Sequence, residues 1–432
     1  MKKTLISTVY IFLILATSIR GDNLTVEGDF SVTGKISGDT TASILASSHG
    51  PRELTTLNTI ITNLAGADAE IILDGIWTID GDVTIPMSVT LNIPNGGMLN
   101  LAVGATLTLN GYLDAGLYKV FDGPGAIAGL AQVVHPEWWG ASGDGTTDCY
   151  EAFRNAMEHT EPSRSIELQT GTYMVSRGLN VPDNTIIYGQ GIEKTAVKLT
   201  HDAVKYDGSS DISIIVFRCV GNFFELRDMT LDCSYDEQIT VGGKAATLCA
   251  HGADAIGYGN HFNRLRVTNF GTGNGAECFP LHMTSFNGDS LELNIIEDCE
   301  VTKAAALANQ EAGSGMTAIW AAPMYPDGAS YGLGVRGDNN FIIRNCVVHD
   351  VDVKGYLNAF SSPNVENCRV YDVTSASSVG IYFDTWSFKR LVFRNNEMLG
   401  LDYGVFLKLS DQVRVDYMDI DNQGRSSASC GS

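Results

Sequence analysis

The chain has 432 residues, 28 of them Lys or Arg and 50 Asp or Glu, for a formal charge of -22. Phosphate binding needs clustered basic residues and none appear, so nucleic acid is excluded as a partner class. Gly is abundant (46), Pro scarce (11) and charged residues only 18%, which favours a turn-rich β protein over a helical one, as one large elongated domain or two to three ordinary ones.

Met1, Lys2 and Lys3 ahead of the apolar run from Leu5 to Ala16 read as a secretory signal peptide over residues 1–18, with Ala16 and Ser18 as the cleavage pair. An uncleaved anchor is the alternative, because Ile19 and Arg20 blur the cleavage point, although the run is short for a membrane span. The mature chain is thus expected outside the cell or at a cell surface, without membrane contact once the signal is cleaved. Residues 19–65 read as an extension. Within it, 23–38 form short alternating stretches punctuated by Gly, similar to the lead-in of phage tail and bacterial surface proteins, and Arg52 to Leu64 predict a short helix. From 66 to 133, pieces such as Ile76-Trp-Thr-Ile and Val89-Thr-Leu-Asn-Ile recur roughly every ten residues, predicting either a first stack of coils or a small separate β-domain.

The stretch Pro136 to Glu158 is the turning point. Gly143, Asp144 and Gly145 halt an extended segment after Trp138 and Trp139. Asp148 followed by Glu151 has the form of a capping box, and Tyr150, Phe153 and Met157 share one helical face. The run Trp139-Gly-Ala-Ser-Gly-Asp-Gly-Thr-Thr-Asp148, followed by a short helix, resembles the entrance motif of the pectate lyase-like superfamily in its rhamnogalacturonase/epimerase-like branch. The resemblance implies an all-β chain, a right-handed parallel β-helix over residues 134–421 with the helix capping its N-terminal end, and leaves the reaction open. Trp138 and Trp139 are then plugs between cap and first coil, with a sugar platform as the alternative. Gly189-Gln-Gly191 before Lys194-Thr195 lacks the ending of a phosphate loop and reads as a coil turn.

Beyond the helix, one pattern returns: Asp228-Met-Thr-Leu, Arg264-Leu-Arg-Val, Asp298-Cys-Glu-Val, Asn345-Cys-Val-Val, Asn367-Cys-Arg-Val, Asn395-Asn-Glu-Met and Tyr417-Met-Asp-Ile, at intervals of 36, 34, 47, 22, 28 and 22. A minimum of 22 fits a coil of three short strands stacked on the next coil at about 4.8 Å, with the polar residue at a tight left-handed bend. The interval of 47 reads as two coils. A β-sandwich would show hairpin signals between alternating runs, and Asn274-Gly275, Asn287-Gly288 and Asp327-Gly328 sit inside the long intervals instead. Nine cysteines in an exported chain suggest disulfides, yet Cys299, Cys346 and Cys368 each follow an Asp or Asn in one repeated slot, which predicts buried small hydrophobes; no spacing fits zinc. Residues 422–432 read as a disordered tail.

A stacked fold makes columns, and period 2 along a strand decides which side chains form them. Counting back about 13 residues from each bend finds a further strand, as in Gly380-Ile-Tyr-Phe-Asp384 and Gly404-Val-Phe-Leu-Lys408. With Ile381, Phe383, Val405 and Leu407 inward, Tyr382, Asp384, Phe406 and Lys408 point outward, joined by Arg336 and Asn358 and, further back, by Asp254 and His282. Tyr382, Phe406 and Trp386 suit stacking on sugars; Arg336 and Lys408 suit holding a carboxylate; Asp384 suits acid or base work. The plain alternative is a solvated sheet face with Asp384 and Lys408 as a ladder pair. Asp350 and Asp352, in a charged turn with His349 and Lys354, are candidate Ca²⁺ ligands, or simply a solvated turn.

The hydrolase signatures Asn-Thr-Asp, Asp-Asp, Gly-His-Gly and Arg-Ile-Lys of the polygalacturonase type are absent. Lyase chemistry needs uronate neutralisation, a base and an acid, roles that Arg336, Lys408, His282 and Asp384 match by residue type. The sequence therefore points to an exported protein that binds and cleaves an acidic polysaccharide, by β-elimination in preference to hydrolysis. The rival is a non-catalytic glycan-binding surface or tail-spike-like adhesin. Related tail spikes are trimers, and nothing in the sequence demands that state.

Overall fold

The computed structural model describes residues 42–129, 133–158, 164–204, 213–238, 249–272, 277–285, 292–306, 310, 315–322, 341–385, 390–409, 417–423 and 429–431. The signal peptide and the repetitive residues 23–38 therefore lie outside the described residues. Two compact units divide the chain, residues 1–116 and 117–432.

In the first unit the short strands are parallel and stacked. Ala42–Leu45, Ala69–Ile72, Val89–Ile93 and Leu113–Ala115 form one sheet, while Ile76–Ile79 pairs with Met98–Leu101 and Val83–Ile85 with Thr106–Leu109. This is a stack of coils. Alternation dictates it: Val89, Leu91 and Ile93 are buried, and Thr90 and Asn92 between them face out. Outside, Asn92 Nδ2 donates to Glu70 Oε1 at 2.8 Å and reaches Asp114 Oδ2 at 3.4 Å, one coil to either side. The expected helix forms as Leu54–Leu64, with Leu57, Ile60 and Leu64 buried.

In the second unit each coil contributes three strands. One coil runs Phe341–Arg344, a bend at Asn345, Val347–Asp352 and Tyr356–Ser361; the next runs Asn364–Glu366, a bend at Asn367, Arg369–Thr374 and Ser377–Thr385. Inward residues stack on their counterparts. Leu226, Phe262, Ile296, Ile343, Val365 and Phe393 form a column behind the first strands. Leu231, Val267, Val301, Val348, Val370 and Met398 form one behind the second. Phe217, Ala253, Leu281, Ile319, Phe360, Ile381 and Val405 form one behind the third. Burying each large apolar side chain contributes about 1.5–3 kcal/mol.

The bends are left-handed, as the repeat predicts: φ is 61° at Asp228, 49° at Arg264, 54° at Asp298, 54° at Asn345, 56° at Asn367 and 54° at Asn395. Four of them form a ladder. Asn345 Nδ2 donates to Asp298 Oδ1 at 3.1 Å, Asn367 Nδ2 to Asn345 Oδ1 at 3.2 Å, and Asn395 Nδ2 to Asn367 Oδ1 at 3.2 Å. Because Glu300 pairs directly with Val347, the interval of 47 is one coil carrying an insertion and not two. Tyr417 is likewise no bend: it lies opposite Arg390, and Asn396 is matched by Asn422. Residues 429–431, read as tail, add a strand beside Phe406, Leu407 and Lys408.

Seven described cysteines are free and buried, and Cys299, Cys346 and Cys368 occupy the inward slot after their bends. Burial raises the thiols of Cys299 and Cys368 well above the ordinary range. At the N-terminal end the helix Tyr150–Glu158 buries Tyr150, Phe153 and Met157. Asp148 caps it by accepting from Tyr150 N at 3.1 Å and ties it to the coil through Ser176 N at 3.0 Å. Glu151 does not complete a capping box, because it bonds Arg154 instead.

Candidate functional site

The outward rows of the sheet built from the third strands hold the chemistry. In Ser213–Val220, Phe217 and Cys219 point inward, so Arg218 points out; the same phase in Cys249–Ile256 turns Asp254 outward, and in Leu281–Thr284 it turns His282 outward. In-register pairing lines up Asn180, Arg218, Asp254, His282, Trp320 and Ser361 on successive strands. Phe360 opposite Ile381 carries the row on to Tyr382, and Tyr382 lies opposite Phe406.

Three members make a linked polar group. His282 Nδ1 is 2.8 Å from Asp254 Oδ1, and Arg218 Nε is 3.5 Å from Asp254 Oδ2. A carboxylate accepts, so His282 Nδ1 is the donor to Asp254, and in the neutral imidazole this tautomer keeps the lone pair on Nε2. Asp254 is nearly sealed, its side chain 9% exposed, while those of His282 and Arg218 keep 14% and 24%. Aromatic rings wall the imidazole: Phe279 stacks on it at 5.2 Å with an interplanar angle of 29°, and Trp320 meets it edge-on at 5.2 Å. A histidine oriented by a carboxylate, beside a guanidinium and in a partly dry setting, can take or give a proton next to a bound anion.

The expected residues divide into those the fold gathers and those it separates. His282, Asp254, Tyr382 and Phe406 share one row. Tyr382 and Phe406 stack at 5.6 Å with an interplanar angle of 5°, so they cover each other's facing surfaces and offer a sugar chiefly their edges and the outer face of Tyr382. Asp384 and Lys408 are opposite each other in backbone register, two residues along from Tyr382 and Phe406. Asp384 is three strands from His282, about 14 Å at the spacing of adjacent strands, and Lys408 is four, so neither shares one centre with His282.

Asn358 is a correction. It lies opposite Val379 and Thr317, is buried, and donates to Thr317 Oγ1 at 3.3 Å; Ser361 holds the place in the row assigned to it. Asp350 and Asp352 are also corrected, since they belong to Val347–Asp352 in the other large sheet, away from this row. There Asp350 Oδ2 accepts from His349 Nδ1 at 2.8 Å, and His349 Nε2 is 2.8 Å from Glu300 Oε1. Among the described residues, no three His, Cys, Asp or Glu are grouped to hold a metal ion. Arg336 and Trp386 lie outside the described residues. The third strand of the coil to which Arg336 was assigned is Gly315–Ala321, and its outward member in the row is Trp320. Arg218 and Trp320 were missed, although alternation in Ser213–Val220 already turns Arg218 outward.

The entrance motif is structural. Asp144 accepts from Thr146 N and Thr147 N, each at 2.8 Å, and these bonds hold its carboxyl far below the usual range. Trp138 is buried, as a plug would be. Gly189 and Gly191 form the turn between Thr185–Tyr188 and Thr195–Val204.

Residues 287–431 match the family model described as right handed beta helix region, and residues 138–218 match rhamnogalacturonase A/epimerase, pectate lyase-like. The preneck appendage protein of Bacillus phage PZA is 42% identical over 65 residues, 15% of this chain and 7% of that protein. The pre-neck appendage protein of Bacillus phage B103 is 32% identical over 141 residues, 32% of this chain and 15% of that protein. The chain thus spans only a small part of the curated relatives it matches. Among solved structures, the A-module of the Azotobacter vinelandii mannuronan C-5 epimerase AlgE4 is 15% identical, covering 67% of this chain and 94% of its own, with a TM-score of 0.28. No described helix is long and apolar enough to cross a membrane. With its parallel coils, left-handed bends and matched segments, the chain carries a right-handed parallel β-helix of the pectate lyase-like kind.

Proposed function

We propose that this exported protein binds an acidic polysaccharide along the row from Arg218 to Phe406 and cleaves it by β-elimination at His282. The observation that carries the reading is the 2.8 Å bond between His282 Nδ1 and Asp254, with Arg218 on the far side of the same carboxylate. Arg218 neutralises a uronate carboxylate and makes the adjacent C–H more acidic. His282 Nε2 removes that proton, the electron pair forms the C=C bond, the C–O bond to the next sugar breaks, and the imidazolium returns its proton to the leaving oxygen. Asp254 fixes the tautomer and stabilises the imidazolium. Tyr382, Phe406, Asp384 and Lys408 hold more distant sugars. Arg218 supplies a local cation to the row in a chain whose overall charge of -22 by itself repels a polyanion. Inverting hydrolysis is disfavoured because it needs two carboxylates about 6.5–9.5 Å apart flanking one bond, and Asp254 is committed to His282 and Arg218.

Similarity to phage pre-neck appendage proteins favours a second reading, a glycan-binding surface without turnover. Incubation with pectin, rhamnogalacturonan and alginate separates the two, with and without added Ca²⁺. Gain of ultraviolet absorbance from unsaturated product, lost in His282→Ala, supports elimination. New reducing ends without absorbance indicate hydrolysis, and binding with neither product indicates an adhesin.

A further inference from the structure

The corner that leads from the third strand to the next coil is left-handed in three successive coils: φ is 55° at Asn184, 58° at Phe223 and 65° at Gly259. Asn184 N donates to Asn222 O and Phe223 N to Tyr258 O, both at 2.9 Å, so the three occupy equivalent places. Asn and Gly accept this conformation readily, whereas a bulky aromatic there is strained. Nothing in the core requires the ring, because the next residue, Phe224, fills the interior and Phe223 is 48% exposed. Gly259 makes room for it: a Cβ there would lie 2.6 Å from Phe223 Cδ1.

Two further apolar residues at this end of the coils are exposed, Val220 three residues before the ring and Leu293 two coils along from it. Val220 is 54% exposed and Leu293 46%. Leu293 follows Gly259 in the column, since His261 is opposite Ile295. Val220 pairs with Ile256, two residues along from the pairing of Arg218 with Asp254 and so about 7 Å from it. A strained backbone that holds half a ring in water beside the candidate site calls for a ligand. A stable protein interface takes about 20–30 residues a side, and this corner offers three, a size suited to the apolar face of one or two sugars.

We propose that Phe223, with Val220 and Leu293, is an apolar saccharide subsite adjoining Arg218, Asp254 and His282; this rests on the reading of the groove as polysaccharide-binding. The test is Phe223→Gly, which removes the ring and relieves the backbone together, with Val220→Ser as a second variant that leaves the corner untouched. Melting temperature, affinity and turnover are measured on polygalacturonate, rhamnogalacturonan and alginate. The expected result is a melting temperature unchanged or raised in Phe223→Gly, affinity weakened about five- to tenfold in both variants, and kcat unchanged. A fall in melting temperature for Phe223→Gly makes the ring a packing element and overturns the proposal. So does wild-type affinity in both variants, or a changed solution mass, which would mark a subunit contact. In those cases the groove reading survives if Arg218→Ala still loses affinity. If the wild-type chain binds none of the three polymers, both readings fall together.

Discussion

Replacing Asp254 with Asn tests the assigned proton geometry directly. The carboxylate offers one oxygen to His282 Nδ1 at 2.8 Å and the other to Arg218 Nε at 3.5 Å. An amide has one oxygen and one NH₂ for those two neighbours. Arg218 donates in every state, so the amide oxygen turns to it and the NH₂ faces His282. Imidazole then adapts by moving its proton to Nε2, leaving Nδ1 to accept. The shape and the hydrogen bond to His282 survive, but the lone pair aimed at substrate is gone. General-base catalysis supplies about 10²–10⁴-fold, so Asp254→Asn should lose turnover by that factor with little change in KM. Its stability should fall by only about 1–3 kcal/mol, because each polar neighbour keeps a partner. Asp254→Ala, in contrast, strips a largely buried cation of its counter-charge and should cost about 3–5 kcal/mol. Initial rates from ultraviolet absorbance give the first quantity, urea unfolding the second, and the ¹⁵N shifts of His282 report the tautomer. Wild-type turnover in Asp254→Asn, or lost turnover with the proton still on Nδ1, would refute the assignment.

Three further outcomes concern the fold. Asn367→Ala removes both ladder bonds and places a Cβ residue without a local hydrogen bond at φ 56°, for a loss of about 2–3 kcal/mol, whereas Asn367→Gly keeps the conformation easy and should lose about 1; equal urea midpoints would remove backbone strain from the account. Asp228 is held below the ordinary carboxylate range chiefly by Arg264, with burial opposing and Arg227 assisting, so its contribution is full above about pH 4 and disappears as pH falls through the depressed folded value. Arg264 is half exposed, so the effect should stay under about 1 kcal/mol and shrink in salt, and Asp228→Asn should flatten the loss of stability as pH falls below the ordinary carboxylate range. In the first unit a Cβ at Gly111 would lie 2.0 Å from Val89 O and 2.6 Å from Pro86 O, both backbone; Gly111→Ala should cost at least about 1–3 kcal/mol and speed hydrogen exchange in residues 42–116 selectively.

The parts legible in the sequence were those set by local stereochemistry. A left-handed bend favours Asn or Asp, the side chain after it turns inward, and strand alternation fixes which residues face out; hence the Asn and Asp bends, the cysteine slot, the inward Ile381 and Phe383, and the outward His282 and Tyr382 follow from residue type. The count along each coil did not, because corner length is free. Ser361 is followed after two residues by the strand Asn364–Glu366, whereas Thr385 is followed by four before Arg390–Met398. A constant offset therefore landed on Asn358, three residues early, on a residue outside the row that Ser361 joins. The same freedom hid the centre. Asp254, His282 and Trp320 lie in coils of 36, 34 and 47 residues, where the insertions fall, while the regular coils of 22 and 28 give Ser361 and Tyr382. Backbone in a coil is fully committed to the ladder above and below, so sequence that is not repeat can only enter at corners. The irregular coils are thus where the chain has room to build walls around an outward row, and the repeat signal is weakest where Asp254 and His282 are most enclosed.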